Sequence, residues 1–386
     1  MKKLAPSNDS SIYHGGVWPT EEQQLLLRAA LLDAPAATEA WAAWLQRAQT
    51  DSLDAGSWKL IPQVYVNLKR LGVNDPLLPQ AKLCHLHSWT CNQRLFHQSA
   101  GFLEELRQSG IPALVLKGVA LANLYYPDTG ARPMADLDVL VPPAKFLELG
   151  RRLLDEGWKQ TDGHSFDSFR MDYMPSYGFM RPDGFWVDLH CHVLHADCGP
   201  RADDEFWSRA QPWNLRHAAT LTLAPEDQLL HVISHGVRWC DVSPFRWIAD
   251  AWWILARSGA EFDWDRFCSQ VRHHHVNLHI LRGLEFMDKI TPLNLPPGLL
   301  GRVESIPFAA SATVRYIADT RPLPTEFFPR AAAIWKMLGE EEPGYSIAGV
   351  PRANKRPGRE LRRIPLLLWF GLKVAIRDRK QFWGNG

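Results

Sequence analysis

The chain has 386 residues, of which 46% are apolar and 22% are charged, and its formal net charge at pH 7 is +1. These values are typical of a soluble globular protein with a large core, and the length predicts two or three domains. A net charge this close to zero excludes a bulk electrostatic attraction of the whole molecule to nucleic acid or to a membrane.

The sequence carries no sign of export or of membrane insertion. Six cysteines in 386 residues are too few for a disulfide scaffold. The first residues, MKKLAPSNDSSIYHGG, contain two lysines but not the apolar segment of a secretory signal. No apolar run reaches the roughly 18–20 residues that a membrane-spanning helix needs. We therefore expect a cytoplasmic protein.

The first part of the chain, residues 20–109, is predicted to be helical. Thr20 is a candidate N-cap for the helix TEEQQLLLRAALL, which has acidic residues in its first turn. Apolar residues at helical spacing recur in WKLIPQVYVNLKRL and CNQRLFHQSAGFLEELRQSG. Gly110 is then expected to end a helix, and IPALVL to begin a strand.

The next segment, residues 111–192, alternates between strand and helix patterns. We predict a strand over 112–116, a short helix from Gly118, a strand over 137–141 and a helix over 144–156. Two more strands, YMPSYGFM and FWVDLHCHV, are joined by Arg-Pro-Asp-Gly, which is a strong hairpin signal. This pattern is typical of an α+β core with a mixed, partly antiparallel sheet and flanking helices.

From Pro225 onward the pattern is helical again, and it ends in a basic tail. Residues 351–380 hold ten lysines and arginines against two acids, which gives this tail a local charge of +8. An apolar block, residues 364–376, lies between its basic flanks. Three interpretations stay open: contact with an anionic membrane surface, binding of a polyanionic acceptor such as RNA, or a terminal helix packed on the core.

The composition changes along the chain predict four parts. These are an N-terminal helical region, the α+β core, a C-terminal helical region, and a linker that is rich in glycine, proline and charge together with the basic tail. Their predicted bounds are 1–110, 111–222, 223–338 and 339–386.

Two carboxylates stand two residues apart: Asp138 lies in the predicted strand over 137–141, and Asp136 comes just before it. Residues i and i+2 of a strand point to the same face, so Asp136 and Asp138 are expected to project together. Carboxylates this close repel each other unless a cation lies between them, and Mg²⁺ commonly takes one or two carboxylates together with substrate phosphates. The alternative is a solvated turn at a strand end.

Two neighbouring features favour a metal and phosphate site over a turn. Upstream, the strand runs into Lys117 and Gly118, where a glycine lets the backbone approach a ligand and a helix N-terminus favours anions. Downstream, Asp188 follows the hairpin turn on a strand that could lie beside residues 137–141. Three acids, two metal ions and a phosphate-binding turn suit in-line phosphoryl or nucleotidyl transfer.

The stretch LVLKGVALANLYYPDTGARPMADLDVLVPP resembles the DNA polymerase beta-like nucleotidyltransferase superfamily. It looks most like a poorly characterised bacterial branch with the pattern LKG, then an arginine, then Asp-x-Asp. The resemblance implies that Asp136, Asp138 and Asp188 bind two Mg²⁺ ions. It also implies that Asp188 helps to activate the attacking hydroxyl and that Gly118 lets the triphosphate of an NTP approach.

The turn departs from the usual superfamily pattern. Lys117-Gly118-Val119 replaces Gly-Gly or Gly-Ser, so Lys117 is expected to take over phosphate binding as a point charge. Arg132 lies four residues before Asp136 and is expected to pair with a triphosphate or with the carboxylates. An ordinary surface arginine is the alternative for Arg132.

Several histidines are candidate metal ligands. His231 and His235 have the i, i+4 spacing of a zinc site, but HVISH lacks the glutamate of a zinc protease motif. We expect their helix to pack over the cleft, with His235, Arg246 or Asp250 near the substrate. The Cys- and His-rich segments near His85 and His190 lack the paired cysteine spacing of a structural zinc site, and His190 shares the strand face of Asp188.

The sequence therefore predicts a Mg²⁺-dependent nucleotidyltransferase. It would move a nucleoside monophosphate from an NTP to the hydroxyl of an acceptor, which could be a small molecule, a protein or RNA. The alternative is an inactive module that keeps the fold for NTP sensing or for binding a partner, which the altered turn at Lys117 leaves open.

Overall fold

The computed structural model describes most of the first 322 residues, namely 2–6, 15–161, 166, 175–199, 201–241, 243–307 and 310–322. The predicted linker and basic tail, residues 339–386, lie outside the described residues. Within the described part of the chain, no helix is both long enough and apolar enough to cross a membrane.

Four helices precede the sheet, as predicted: α1 (Glu21–Leu31), α2 (Ala36–Arg47), α3 (Ala55–Arg70) and α4 (Leu78–Gln108). Thr20 caps α1, since its side chain accepts from the backbone N–H of Gln23 and its own N–H donates to the Gln23 side chain. Asp54 caps α3 by accepting from the backbone of the first turn. The local sequence therefore fixes where α1 and α3 begin.

The strands of the described residues form one mixed sheet in the order β3-β4-β5-β2-β1-β7-β6. Their bounds are β1 (Leu114–Val115), β2 (Leu137–Leu140), β3 (Lys159–Gln160), β4 (Ser176–Met180), β5 (Trp186–His190), β6 (Gln211–Leu215) and β7 (Ala218–Thr222). The predicted hairpin is confirmed as the antiparallel pair β4–β5. At the centre of the sheet, β2 runs antiparallel to β1 and parallel to β5.

Helices flank this sheet on both faces. Three of them are α5 (Lys117–Leu124), α6 (Pro143–Asp155) and α7 (Asp204–Ser208). The others follow β7 along the chain: α8 (Pro225–Gly236), α9 (Arg246–Ser258), α10 (Trp264–His273), α11 (Asn277–Ile290), α12 (Leu299–Glu304) and α13 (Ala310–Thr320). The arrangement confirms the predicted α+β class with helices before, around and after the sheet.

Side chains of the central strands pack into two separate hydrophobic cores. Leu137 and Val139 of β2 lie in a core with Phe146 of α6, whereas Leu140 lies in a second core with the N- and C-terminal helices. Because alternate strand residues point to opposite faces, Asp138 projects to the same side as Leu140, toward the C-terminal helices. Asp138, the one polar side chain of β2, therefore lies on the side of the helical core and away from the core that contains Phe146.

The loop between α5 and β2 is held from two sides. On one side, the Asn92 side chain of α4 donates to the backbone carbonyls of Thr129 and Arg132 at 2.6 and 2.8 Å. On the other side, Arg246 of α9 donates to the carbonyl of Pro133 at 2.8 Å. Since this loop leads directly into Asp136, its anchoring fixes the start of β2.

We expect Asn92→Ala to lower the free energy of unfolding by about 1–3 kcal/mol, because it leaves the buried carbonyl of Arg132 and the partly buried carbonyl of Thr129 without this donor. The matched control is Thr90→Ala on the exposed side of α4, whose hydroxyl donates only to the carbonyl of Leu86; it should change stability by less than about 0.5 kcal/mol. Urea denaturation of both variants measures the difference. Equal effects would show that Asn92 does not anchor the loop.

Candidate active site

The register of two neighbouring strands brings the predicted carboxylates together. In the parallel pair β2–β5, Asp138 lies opposite Asp188 and Leu140 lies opposite His190. Asp188 is therefore next to Asp138, and His190 is two residues further along the same face of β5. The prediction that the strand carrying Asp188 lies beside β2 is confirmed.

His190 bridges the two carboxylates. Its Nε2 atom lies 3.1 Å from Oδ2 of Asp188 and 3.3 Å from Oδ1 of Asp138. Its Nδ1 atom lies 3.3 Å from the backbone carbonyl oxygen of His192. Ser176 of β4 donates to Oδ2 of Asp188 at 3.2 Å. His190 and Asp138 are both buried, whereas the side chain of Asp188 is 26% exposed.

Lys117 supplies a second positive charge to the same cluster. Its Nζ donates to Oδ1 of Asp138 at 2.9 Å, and its side chain is mostly buried. Lys117 is the first residue of α5 and has φ = +41°, a conformation that residues other than glycine seldom adopt. Such a backbone persists only where the surroundings hold it, as they do here through Asp138.

The charges of the cluster move its pKa values in opposite directions. Burial, together with the nearby Asp138 and Asp188, raises the pKa of Asp136 from 3.8 to about 6. Burial also disfavours ionised Asp138, but Lys117 and His190 outweigh it, so the pKa of Asp138 is lowered. Burial alone would lower the pKa of His190, yet Asp188 and Asp138 raise it to about 9.

This donor set fits a divalent cation. Three carboxylates lie close enough to interact: burial, together with Asp138 and Asp188, makes Asp136 hard to ionise, although Lys117 and Arg132 act in the opposite direction. One potential ligand atom each from Asp138, Asp188 and His190 lies within 4.8 Å of the other two; Asp136 is outside this group. The carboxylate oxygens of Asp138 and Asp188 are ligands that Mg²⁺ prefers, and His190 adds a nitrogen donor.

Gly118 lies directly against Arg132. A Cβ atom on Gly118 would come 3.1 Å from Nη1 of Arg132 and 3.4 Å from Sδ of Met134. Arg132 is not on the surface: its guanidinium pairs with both carboxylate oxygens of Asp250 in α9, at 2.7 and 2.9 Å. The hydroxyl of Tyr126 donates to Asp250 at 2.6 Å. Arg132 thus pairs with Asp250 and not with the carboxylates of β2.

Helix α8 covers the cluster with two neutral histidines. Burial, followed by the charge of Lys117, holds the pKa of His231 well below its usual value. For His235 the charge of Lys117 is the larger cause and burial the smaller. The expected packing of this helix over the cleft agrees with these interactions. A cavity of about 20 Å³ lies beneath it, between His195, Arg238, His279 and Asp319.

A larger cavity of about 350 Å³ lies beside the approach to Asp136. It is bounded by α3, α4 and the loop residues Pro133 and Met134, and its walls include Trp58, Leu83 and His87. Lys59 also lines it. Burial, followed by the charge of Arg246, lowers the pKa of Lys59, and Asp136 acts in the opposite direction. The cavity therefore lies close to Asp136.

Most residues of this cluster were predicted from the sequence, but the residues that hold them in place were not. Lys117, Asp136, Asp138 and Asp188 interact electrostatically, and Gly118 with Arg132 forms the adjacent wall. The role of Tyr126 was not predicted, and the pairing of Arg132 with Asp250 could not be, because the two are 118 residues apart in sequence. For His190 the sequence predicted only that it shares a strand face with Asp188. Its position two residues after Asp188 was the signal that places the two side chains together.

Comparison with known proteins gives one family match. A family model described as "Uncharacterised nucleotidyltransferase" matches residues 55–292. A crystal structure of an antigenic nucleotidyltransferase-like protein from Paracoccidioides brasiliensis is 15% identical, with a TM-score of 0.34, and the match covers 56% of this chain and 95% of that one. No curated protein matches the chain.

The two acids of the Asp-x-Asp pair should change stability in opposite directions. With metal chelated, Asp136→Asn should stabilise the protein by about 1–2 kcal/mol above about pH 7. The reason is that the folded pKa of Asp136 lies above its unfolded value, so its ionisation costs stability as the pH rises through about 6. The gain should shrink toward about pH 4, where the carboxyl is protonated.

Asp138→Asn should instead destabilise the protein by about 3–5 kcal/mol at neutral pH, because Lys117 and His190 lose their shared partner. The pKa of Asp138 is lowered in the folded state, so this contribution is present above about pH 4 and is lost as the pH falls further. Chemical denaturation at several pH values measures both variants. Shifts of the same sign at neutral pH would contradict this charge distribution.

Proposed function

The chain belongs to the uncharacterised nucleotidyltransferase family, and we propose that it transfers a nucleoside monophosphate from an NTP to an acceptor hydroxyl in a Mg²⁺-dependent reaction. The observation that carries the proposal is the pairing of Asp138 with Asp188 across β2 and β5, with Asp136 two residues before Asp138. Family membership supports nucleotidyl transfer in general, and the carboxylate cluster supports its metal dependence.

Asp136, Asp138 and Asp188 are the residues that would hold the metal ions. Bound divalent ions would supply positive charge to the reacting phosphate and to the leaving pyrophosphate. The chain's own contribution is to fix these carboxylates on adjacent strands. The side chain of Asp138 is only 8% exposed, so it acts as a fixed ligand, whereas Asp188 is accessible enough to meet a substrate.

Lys117 and Gly118 are proposed to bind the phosphates. Gly118 is the second residue of α5, and the N-terminus of this helix favours the negative charge of a phosphate. The guanidinium of Arg132 lies immediately behind Gly118 and is held by Asp250, so it adds a fixed positive charge to this wall. Lys117 would move its ammonium group from Asp138 to a phosphate oxygen once metal is bound.

The transfer step itself follows from this arrangement. The acceptor oxygen forms a bond to the α-phosphorus of the NTP, and the bond from that phosphorus to the bridging oxygen of the β-phosphate breaks. Pyrophosphate leaves with that oxygen. The proton of the acceptor hydroxyl passes to the carboxylate of Asp188, whose side chain is the more exposed of the two paired acids.

The cavity beside Asp136 is proposed to receive the organic part of a substrate. Its volume of about 350 Å³ falls in the range of small-molecule sites, about 300–1,000 Å³. Its partly apolar walls suit a ring system better than a triphosphate. A cytoplasmic location is part of the same proposal, because NTPs and Mg²⁺ are both supplied there.

An inactive module for NTP sensing is the second candidate. Lys117 favours it, because the ammonium already neutralises Asp138 without a metal ion, and the position carries no hydroxyl for a terminal phosphate. The two candidates share NTP binding but differ in turnover. Binding without release of pyrophosphate, in the presence of any acceptor tested, would favour the sensor.

Binding of an NTP should raise the melting temperature of the wild type only when Mg²⁺ is present. A ligand at about 100 times its dissociation constant stabilises by about 2.7 kcal/mol, which is several degrees for a chain of this size. Asp136→Asn should remain folded yet lose most of this shift. Asp155→Asn, at the exposed end of α6, is the matched control and should keep it.

Thermal unfolding with each of the four NTPs, with and without Mg²⁺, measures this. A shift that does not need Mg²⁺, or one that Asp136→Asn retains in full, would contradict the proposed metal–nucleotide site. The absence of a shift with all four NTPs would contradict NTP as the first substrate to bind.

A further inference from the structure

We propose that His190 is a ligand of the inner metal ion, so that the ion is held by one nitrogen and two oxygens and the site prefers a transition-metal ion such as Mn²⁺ to Mg²⁺. This inference rests on the proposed function, since it concerns the metal ion of the same site. It changes the ligand set implied by the sequence, which consisted of three carboxylates.

The spacing of the three ligand atoms suits one octahedral ion. Ligands at about 2.1 Å from a metal and at right angles to each other are about 3.0 Å apart. Nε2 of His190 lies 3.1 Å from Oδ2 of Asp188 and 3.3 Å from Oδ1 of Asp138. The imidazole therefore needs only a small adjustment to occupy a third position around the ion that Asp138 and Asp188 share.

The other ring nitrogen is held in the way that metal-binding histidines usually are. Nδ1 of His190 lies within hydrogen-bond distance of the carbonyl oxygen of His192, and an Nδ1–H donated there orients the ring with Nε2 toward the carboxylates, where a bound ion would replace the Nε2 proton. The carbonyl itself is held in place: His192 hydrogen-bonds Asp203 at 2.6 Å, and the backbone N–H of Val193 donates to Asp203 at 2.8 Å.

A purely structural role explains less of this geometry. Asp138 already pairs with one cation, Lys117, at 2.9 Å. Nε2 of His190 instead lies between the facing oxygens of Asp138 and Asp188, at similar distances from both. Nε2 and these two oxygens are therefore spaced as three ligands of one ion would be.

The nitrogen donor sets the choice of metal. Mg²⁺ takes oxygen ligands almost exclusively, whereas imidazole suits transition-metal ions. Asp136 is outside the group formed by Asp138, Asp188 and His190, and it lies just before β2. The site thus has two metal positions. The inner one has mixed nitrogen and oxygen ligands from His190, Asp138 and Asp188, and the outer one, at Asp136, has oxygen ligands. The outer position suits the Mg²⁺ that an NTP carries.

Mn²⁺ is the probe for this inference, because its unpaired electrons report directly on bound nitrogen. Electron spin-echo envelope modulation of the full chain with substoichiometric Mn²⁺ should show a directly bound histidine nitrogen. The signal should change when the protein contains histidine labelled with heavy nitrogen. It should be absent from His190→Asn and retained in His231→Asn, which removes a buried histidine of α8 in the same neighbourhood.

Competition between ions gives a second readout. The Mg²⁺ concentration that displaces half of the bound Mn²⁺ should fall at least about tenfold in His190→Asn, as expected for a lost metal-supporting group. If His190→Asn does not fold, the isotope-labelled wild type and His231→Asn still decide the assignment. A nitrogen signal that both retain supports His190, and one that His231→Asn loses overturns it.

The outcomes separate this inference from the proposed function. Mn²⁺ bound to the wild type without a histidine-nitrogen signal would overturn the role of His190 and leave the carboxylate site intact. No Mn²⁺ binding by the wild type, with or without NTP, would overturn both the role of His190 and the proposed metal dependence. Loss of the signal only in His190→Asn, with the drop in Mn²⁺ preference, supports the mixed ligand set.

Discussion

The burial of one carboxylate, Asp138, is the constraint on which the rest of the site depends. A buried charge costs several kcal/mol unless it is paired and hydrogen-bonded. Here Asp138 lies in the middle of a seven-stranded sheet of the described residues and is compensated by Lys117 from one side and His190 from the other. Each of these partners depends on a further structural feature. Lys117 has a positive φ, and His190 contacts the backbone of His192, whose side chain pairs with the buried Asp203.

A second buried ion pair keeps the surrounding loop rigid. Arg132 and Asp250 are both almost fully buried, and Asp250 also accepts from Tyr126. Because Arg132 lies against Gly118, this pair connects the α9 helix to the proposed phosphate-binding turn. Asn92 holds the same loop from α4. A site whose residues are fixed in this way is preorganised for binding, which is what metal and phosphate chemistry requires.

Local sequence patterns predicted the elements that carry the site. Period-two alternation located β2 and β5, and the turn Arg-Pro-Asp-Gly located the β4–β5 hairpin, so the proximity of Asp136, Asp138 and Asp188 could be inferred. The strands β6 and β7 were not identified, because QPWNL and AATLT have little apolar alternation and are stabilised by pairing with each other and with β1. Distant pairs such as Arg132–Asp250 depend on tertiary packing and leave no local signal.

The fate of the labelled phosphate is the most direct test of nucleotidyl transfer. The wild type would be incubated with Mg²⁺, Mn²⁺ and each NTP in turn, labelled either at the α- or at the γ-phosphate, together with an extract as the source of acceptor. The account predicts that the α-label becomes attached to an acceptor and that the γ-label is released as pyrophosphate, both dependent on Asp188. Attachment of the γ-label, or no attachment of either label from any NTP, would contradict it.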